Sequence, residues 1–98
     1  MTSRLCALVW ARPGCEQTLA AYEDDVLAVL VDCGGRVLQR LRSDGTDPGG
    51  ETPSEVHVVE FASNEDVEAY LADPRRAALA ERRDAVVARS QVFPVSLV

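Results

Sequence analysis

The sequence predicts an α+β domain with the element order β-α-β-β-α-β. Three observations predict it: an apolar run near the N-terminus, a long helical stripe that ends at two glycines, and a strand that leads directly into a capped helix between Ser54 and Pro74. Right-handed crossovers fold this order into a four-stranded antiparallel sheet with both helices on one face. The 98 residues are expected to form one domain over positions 1–98.

The first strand and the first helix occupy the N-terminal third of the chain. Leu5–Ala11 is apolar at every position, which is typical of a strand buried on both faces. Arg12–Gly14 interrupts this strand, because Pro and Gly favour a turn. Glu16–Cys33 then places apolar residues at helical spacings, and the glycines at 34 and 35 end the predicted helix.

A second strand and a long loop follow. Arg36–Ser43 is predicted as a strand in which Val37, Gln39 and Leu41 share one face. Asp44–Pro53 is rich in Gly and Pro, so it is predicted to be a polar loop. It is the only long loop of the predicted fold, and we expect it to act as a mobile lid.

The third strand leads into the second helix with little connecting chain. Glu55–Phe61 is rich in β-branched and aromatic residues, as strands are. Ser63 and Asp66 have the spacing of a capping box, in which the side chain of the first residue satisfies a free backbone N–H at the helix start. The helix is therefore predicted to begin directly after Ser63.

This second helix is predicted to be broken before the last strand. Asp73 followed by Pro74 is a second helix start, because Asp caps well and Pro is favoured at the first helical position. The segment is expected to run to about Val87. Arg89–Val98 is then predicted as the fourth strand, in which Pro94 marks a bulge or an edge.

Charge and composition disfavour several classes of function. The net charge of −6 disfavours nucleic-acid binding and attachment to anionic membranes. No transmembrane helix is expected, and no signal peptide, because the short apolar start is needed for the first strand. All ten basic residues are Arg, so no lysine is available for catalysis. The odd number of cysteines favours reduced thiols, and hence the cytoplasm.

The predicted fold leaves one face of the sheet uncovered. Two helices cover only one face, whereas the first and third predicted strands are apolar on both. An exposed apolar face of this size is unusual in a monomer. We therefore expect a homodimer in which two sheets pack face to face and close a barrel.

Three segments resemble a known superfamily: W-A-R-P-G after the first strand, G-G-R-V-L at the start of the second, and V-V-E-F-A-S-N-E-D-V-E-A-Y in the second half. They resemble the dimeric α/β-barrel proteins, which have a ferredoxin-like fold, and among these the short bacterial domains related to antibiotic-biosynthesis monooxygenases. The resemblance covers nearly the whole chain and implies a pocket between sheet and helices or inside the dimer barrel. Its motifs are caps and turns, and the polar pocket residues of the monooxygenases have no match, so no catalytic set carries over.

His57 and Glu60 are the candidate catalytic residues. Histidine ordinarily exchanges protons near neutral pH, so the single histidine is the natural acid or base; alternatively, it is a structural strand residue. Glu60 lies in an apolar strand, where a carboxylate is either ion-paired, with Arg40 or Arg42 as the expected partner, or a protonatable group facing a pocket. Strand alternation assigns the third strand's side chains to two faces: Glu55, His57, Val59 and Phe61 on one, and Val56, Val58 and Glu60 on the other.

Trp10, Arg40 and Tyr22 are the candidate substrate-binding residues. Trp10 ends the first strand and is expected either to form the wall of an aromatic pocket or to fill the core. Tyr22 and Tyr70 are predicted to face the sheet, where each hydroxyl points into a cavity or finds a local partner. Arg40 is expected to be a polar neighbour of His57.

Two functions are consistent with these residues. The first is a small homodimeric enzyme that binds an aromatic or polyketide-like organic ligand in an apolar pocket, with cofactor-free oxygenase or isomerase chemistry. The second is a non-catalytic binding or accessory module with the same dimer fold, in which His57 and Glu60 are structural. The single histidine excludes a multi-histidine metal site within one chain, and no cofactor is expected.

Overall fold

The computed structural model describes residues 2–44 and 51–98. Its elements in chain order are β1 (Ser3–Ala11), α1 (Glu16–Asp32), β2 (Gly35–Arg42), β3 (Glu55–Phe61), α2 (Asn64–Leu71), α3 (Pro74–Ala77), α4 (Ala80–Val86) and β4 (Val87–Pro94). The predicted element order is confirmed, with the second helix divided into three pieces. The predicted lid at Asp44–Pro53 falls on positions 45–50, which lie outside the described residues.

The four strands form one antiparallel sheet in the order β2-β3-β1-β4. This is the ferredoxin-like arrangement that the sequence predicts. Ala7 in the middle of β1 lies opposite His57 of β3 on one side and opposite Val92 of β4 on the other. Phe61 of β3 clusters with Leu19 of α1, so the helices cover this face of the sheet and form the core there.

A bulge in β2 reverses the facing of its second half. Val37 pairs with Val59 of β3, and Gln39 pairs with the adjacent residue, Val58. Two steps along β2 therefore correspond to one step along β3, and Leu38 is the extra residue. Because side chains alternate along a strand, one extra residue moves all later side chains to the opposite face. Arg40 therefore faces the helices, like Val37, and Leu41 faces away. The prediction that Val37, Gln39 and Leu41 share a face is wrong.

The caps of α2 and α3 are those that the sequence predicts. The hydroxyl oxygen of Ser63 accepts a hydrogen bond from the backbone N–H of Asp66 at 3.3 Å. The carboxylate of Asp73 accepts from the backbone N–H of Arg75 at 2.8 Å, with Pro74 as the first helical residue. Both caps satisfy backbone donors that the first turn of a helix leaves free.

The last strand begins earlier and ends earlier than predicted. Val87 pairs with Ala11 of β1, and the backbone N–H of Arg12 donates to the carbonyl of Val86 at 2.8 Å. This pairing draws the chain into the sheet directly after α4, two residues before the predicted start. The strand stops at Pro94 rather than at the predicted Val98, and the backbone N–H of Val95 still donates to the carbonyl of Arg4 at 3.0 Å. β4 is an edge strand, where proline is tolerated.

The sheet face that points away from the helices is called the outer face here. Most of its central side chains are apolar, and they lie on all four strands: Cys6, Leu8, Trp10, Leu41, Val56, Val58 and Phe93. Two exposed polar side chains, Gln39 and Gln91, lie among them. Leu41 is 52% exposed and Phe93 is 37% exposed. The structure thus contains the uncovered apolar face that the sequence predicts. Among residues 2–44 and 51–98, no helix has the length and apolar character needed to cross a membrane.

Candidate functional site

A cavity of about 300 Å³ lies between the sheet and the helices. Alternate apolar residues of β1, β3 and β4 and the inward side of α1 form most of its wall. The volume is at the lower end of the range for small-molecule sites, which are mainly apolar with a few convergent polar groups. The wall includes such groups from five elements: Tyr22, Glu23, His57, Tyr70, Arg76 and Arg83.

Helical spacing places Glu23 on the cavity wall. It lies four residues after Leu19 and three before Val26, and both of these neighbours are buried core residues. Positions separated by three or four residues share one side of a helix, so the carboxylate is carried inward with them. Glu23 is only 6% exposed, which is unusual for an acidic side chain.

Strand alternation places His57 on the same wall. Along β3 the residues at odd positions from 55 to 61 are buried and those between them are half-buried. The buried set faces the helices, and His57 is 3% exposed within it. The face of β3 that carries His57 is thus the one that lines the cavity.

Glu55 is a buried ion-pair centre beside His57. It is 1% exposed and accepts hydrogen bonds from Nε and Nη2 of Arg40 at 2.9 and 3.3 Å and from Nε of Arg42 at 3.2 Å. Burial alone would raise the pKa of Glu55, but the bonds from Arg40 and His57 outweigh it and hold this pKa below its usual value. Glu55 is therefore ionised at neutral pH.

Arg40 connects this centre to α1. Its guanidinium also pairs with the carboxylate of Asp24 and donates to the backbone carbonyl of Ala20 at 3.1 Å. The hydrogen bonds and charges of Glu55 and then of Asp24 raise the pKa of Arg40 further above its usual range, against the effect of burial. Arg40 was predicted to be a polar neighbour of His57, and it lies directly opposite His57 in the pairing of β2 with β3. It was also predicted to bind substrate, but it is not among the residues that line the cavity.

The bond to Glu55 sets the tautomer of His57. Nε2 lies 2.8 Å from Oε1 of Glu55. Because an ionised carboxylate can only accept, Nε2 carries the hydrogen and donates it. The other ring nitrogen, Nδ1, then faces Oε2 of Glu23 at 3.7 Å, slightly beyond hydrogen-bond distance. Glu55 thus fixes the ring so that Nδ1 points at the second carboxylate.

Glu23 is a carboxylate that titrates in the neutral range. Burial and, to a smaller extent, the negative charge of Glu55 raise the pKa of Glu23 to about 7, against the opposing charges of Arg40 and Arg83. Glu23 thus faces Nδ1 of His57 with a carboxyl group that is partly protonated at neutral pH. Such a pair can either accept a proton from a bound molecule or return one.

The raised pKa of Glu23 predicts that the protein loses stability as the pH rises. The folded chain holds this proton up to about pH 7, whereas an ordinary glutamate loses it near 4.5. Raising the pH through this range therefore lowers the free energy of unfolding, by about 3 kcal/mol in total. Glu23→Gln has no proton to lose, so its free energy of unfolding should exceed that of the wild type increasingly from pH 5 to pH 8.

Urea unfolding of both proteins at each pH measures this difference. Taking the difference between the two proteins cancels the contributions of the other titrating groups. Parallel stability curves for wild type and Glu23→Gln over this range would contradict the assignment of Glu23 as a group that titrates near pH 7.

Glu60 lies on the opposite side of the sheet from the cavity. Its carboxylate accepts from Nε of Arg4 at 2.8 Å and pairs with Nη1 of Arg36 at 3.6 Å. The predicted partners, Arg40 and Arg42, are wrong, because the bulge in β2 turns both arginines toward the helices. Glu60 is thus ion-paired at the border of the outer face, and we assign it no part in the cavity.

Trp10 also lies on the outer face. Its ring packs under the guanidinium of Arg89, with the guanidinium carbon 4.2 Å from the ring centre. The indole N–H donates to the backbone carbonyl of Glu51 at 3.2 Å. Trp10 therefore does not form a wall of the cavity, since its position in β1 points it away from the helices.

Tyr22 lines the cavity from α1, and Tyr70 lines it from α2. Burial raises the pKa of both phenols, so both are neutral hydroxyls at pH 7. The ring of Tyr70 lies 5.8 Å from that of Phe61 in a tilted arrangement. Tyr22 is the one predicted substrate-binding residue that the structure places on the cavity wall beside His57.

Sequence reasoning did not identify Glu23 and Glu55 as site residues. The signal for Glu55 was present, because strand alternation already placed it on the face of His57. The signal for Glu23 was its spacing from the apolar residues of the helical stripe. Within the described part of the chain, no group of three or more His, Cys, Asp or Glu side chains could hold a metal ion.

The fold and the site together define a ferredoxin-like α+β domain with a small, mainly apolar cavity between sheet and helices. The chain belongs to the family described as a domain of unknown function, DUF1330, whose family model matches residues 13–95. The match begins at the turn after β1 and includes all helices and the last three strands. No curated protein matches the chain.

Solved structures from several bacteria are similar to this chain. RPA0582 of Rhodopseudomonas palustris has a TM-score of 0.79 at 21% identity, over 99% of this chain and 82% of that one. A NIPSNAP-like domain protein of Burkholderia xenovorans has a TM-score of 0.77 at 16% identity, over 99% and 85%. A protein of Bacteroides thetaiotaomicron, provisionally named an antibiotic biosynthesis monooxygenase, has a TM-score of 0.76 at 13% identity, over 99% and 90%.

These identities show a shared fold alone. The family match and the shared fold are consistent with the predicted resemblance to short bacterial domains of the antibiotic-biosynthesis monooxygenase type.

Proposed function

We propose that the protein binds a small aromatic or polyketide-like molecule in the cavity and that Glu23 and His57 transfer a proton to or from it. One observation carries this proposal: a buried carboxylate with a pKa of about 7 faces a histidine nitrogen on the wall of a mainly apolar cavity. A catalytic acid or base works best when its pKa lies near the working pH, and burial beside a like charge is how proteins achieve this with a carboxylate.

The chemistry begins with the ionised form of Glu23. Its carboxylate takes the proton of an acidic C–H or O–H bond, and the electron pair of that bond stays on the ligand as an enolate or phenolate. An isomerase then returns the proton to another atom of the ligand. An oxygenase instead passes the electron-rich intermediate to dioxygen, its co-substrate. Neither route requires a cofactor.

The cavity wall suits this step in two ways. Its apolar surroundings exclude water, which strengthens the interactions of the few polar groups inside. The hydroxyls of Tyr22 and Tyr70 are neutral donors on the same wall, and such donors stabilise an oxyanion when they are aimed at it. The aromatic rings also favour a flat aromatic ligand.

Deuterium exchange of 2-tetralone tests the proposal. This aromatic ketone has acidic C–H bonds, and proton NMR in deuterium oxide follows their loss. The protein should accelerate the exchange above the rate in buffer alone, with saturation as the ketone concentration rises. No acceleration, although the ketone binds, would contradict proton transfer.

Such a result would favour the non-catalytic binding module. One observation supports this second function: the ion pairs of Glu55 and Arg40 connect β2, β3 and α1, so a purely structural role also accounts for His57. Binding of 2-tetralone without exchange is the result that this function predicts.

We also propose that the protein is a homodimer joined through the outer face. Leu8 lies at its centre, beside Val56 of β3 and opposite Gln91 of β4. The pair of Arg4 and Glu60 borders this apolar region, as polar groups border a typical protein interface. Packing two such faces together would remove the exposed apolar surface from water.

Leu8→Arg is expected to convert this dimer into monomers, because a charge cannot be buried between two apolar sheets without a partner. Light scattering at micromolar concentration should give twice the chain mass of 10.6 kDa for the wild type and the single mass for the variant. Val31→Arg, at an exposed position of α1, is the control and should remain dimeric. A monomeric wild type would contradict the proposal.

We place the protein in the cytoplasm, as its sequence predicts. Cys6, Cys15 and Cys33 are free thiols in the structure, which fits a reducing compartment.

A further inference from the structure

We infer that the ligand of the cavity carries an anionic group, best matched by a carboxylate, and that Arg76 and Arg83 bind it. This inference rests on the proposed ligand site and names the class of its ligand: a hydrophobic organic acid. The two arginines come from α3 and α4, and both lie on the cavity wall. They give the otherwise apolar cavity a positively charged side.

Neither arginine has an acidic partner in the described part of the chain. Among the described residues, no carboxylate oxygen lies within 4.0 Å of a guanidinium nitrogen of Arg76 or Arg83. Their neighbours in sequence differ: Arg75 pairs with Asp73 and Asp32, and Arg82 pairs with Asp25. Charged side chains that line a cavity without partners are available to a ligand.

Arg76 has a hydrogen-bond donor that the protein leaves unused. Its Nε atom is buried and has no hydrogen-bond partner among the described residues. The guanidinium carbon lies 5.2 Å from the centre of the Tyr70 ring, so the side chain is held against an aromatic face. A buried donor without an acceptor is unfavourable, and an anion in the cavity would supply that acceptor.

Arg83 is held in place by a neutral residue. Its Nη2 donates to the hydroxyl oxygen of Ser90 at 2.8 Å, and Ser90 also lines the cavity. This bond uses one of the five N–H donors of the guanidinium, and Ser90 brings no negative charge to it. A planar guanidinium with free donors matches the two oxygens of a carboxylate.

Binding of an anion here should also bring a proton to Glu23. Six charged or titratable groups surround Glu23. They are His57 and Glu55 from β3, Arg40 from β2, Arg83 from α4, Tyr70 from α2 and Tyr22 from α1 itself. Arg83 favours the ionised form of Glu23, and an anion bound to Arg83 offsets that effect. Glu23 then holds its proton more strongly, so the complex takes up protons from solution near pH 7.

Isothermal titration calorimetry with 2-naphthoate and 2-naphthamide tests this inference. The two compounds have nearly the same size and shape, and only the first carries a charge. We expect the wild type to bind 2-naphthoate about 100-fold more tightly, since the charge-assisted hydrogen bonds of each of the two arginines contribute about ten-fold. Titrations in two buffers with different ionisation enthalpies should show net proton uptake for 2-naphthoate only.

Substitutions of Arg76 and Arg83 test whether these two residues cause the difference in affinity between the two compounds. Arg76→Gln and Arg83→Gln should each weaken 2-naphthoate binding by about ten-fold, and the double variant should bind both compounds equally. The affinity for 2-naphthamide should not change. Arg82→Gln is the matched control, because Arg82 lies on the same helix as Arg83 but is ion-paired outside the cavity; it should behave as wild type.

Each contrary result has a definite meaning. Equal binding of both compounds by the wild type overturns the inference and leaves the ligand site itself in place. An equal loss in Arg82→Gln shows general attraction by surface charge and also overturns it. Binding of neither compound overturns it too, and the exchange of 2-tetralone then decides separately on the proposed function.

Discussion

Replacing Glu55 by Ala is expected to lower the free energy of unfolding by about 3–5 kcal/mol, the usual cost of removing one partner of a buried ion pair. Glu55 is 1% exposed and accepts hydrogen bonds from Arg40, Arg42 and His57. Its removal leaves the guanidinium of Arg40, which also supports α1, without its principal partner. Urea unfolding followed by circular dichroism at pH 7 measures the loss.

Asp25→Asn provides the control for this prediction. Asp25 and Arg82 form an ion pair at 2.6 Å in which both side chains are about half exposed. Such pairs contribute about 0–1 kcal/mol, because solvent screens them and long side chains lose freedom in forming them. If Glu55→Ala costs no more than Asp25→Asn, then Glu55 is not the buried centre that joins β2, β3 and α1.

Replacing Glu23 by Gln is expected to slow the exchange of 2-tetralone by about 10²–10⁴-fold, the usual contribution of a positioned acid or base. The amide keeps the size of the side chain but cannot accept the proton. His57→Asn should slow the exchange as well, because Nδ1 of His57 is the group that faces Glu23. Initial exchange rates at saturating ketone measure both effects.

The control for the exchange assay is again Asp25→Asn. Asp25 lies two residues from Glu23 on the same helix, but its carboxylate is exposed and paired outside the cavity. Its exchange rate should equal that of the wild type. An unchanged rate in Glu23→Gln, with 2-tetralone still bound, would remove Glu23 from the proposed reaction.

The burial of Glu23 is itself an argument for function. An ionised carboxylate at this position costs the folded state stability above pH 7, because burial and Glu55 both disfavour its charge. A neutral side chain of similar size would avoid that cost. Proteins commonly retain such destabilising groups at active sites, where the altered pKa serves the chemistry.

The sequence predicts the fold well where local signals decide it. The caps at Ser63 and Asp73 and the alternation along Glu55–Phe61 depend on neighbouring residues alone, and each is found in the structure. The bulge at Leu38 could not be predicted, because it depends on how β2 pairs with β3. The early start of β4 at Val87 likewise depends on its pairing with Ala11.

The same difference between local signals and tertiary pairing explains which residues of the site could be predicted from the sequence. His57 and Tyr22 lie on the cavity wall because periodicity within one element was enough to orient them. Arg40 was expected on the wrong face because the bulge that turns it inward is a tertiary feature. From the sequence, Arg76 and Arg83 were interpreted as ordinary surface charges. Their orientation toward the cavity depends on the breaks that separate α2, α3 and α4.

A carbon-13 NMR titration of the Glu23 side-chain carboxyl tests the central claim most directly. The account predicts that this carboxyl titrates with a midpoint near pH 7, the value that burial and the neighbouring Glu55 give it. The titration of Glu23→Gln identifies the resonance by its absence. A midpoint near 4.5, the ordinary value for glutamate, would show that Glu23 is a solvated carboxylate and would contradict the proposed proton-transfer pair.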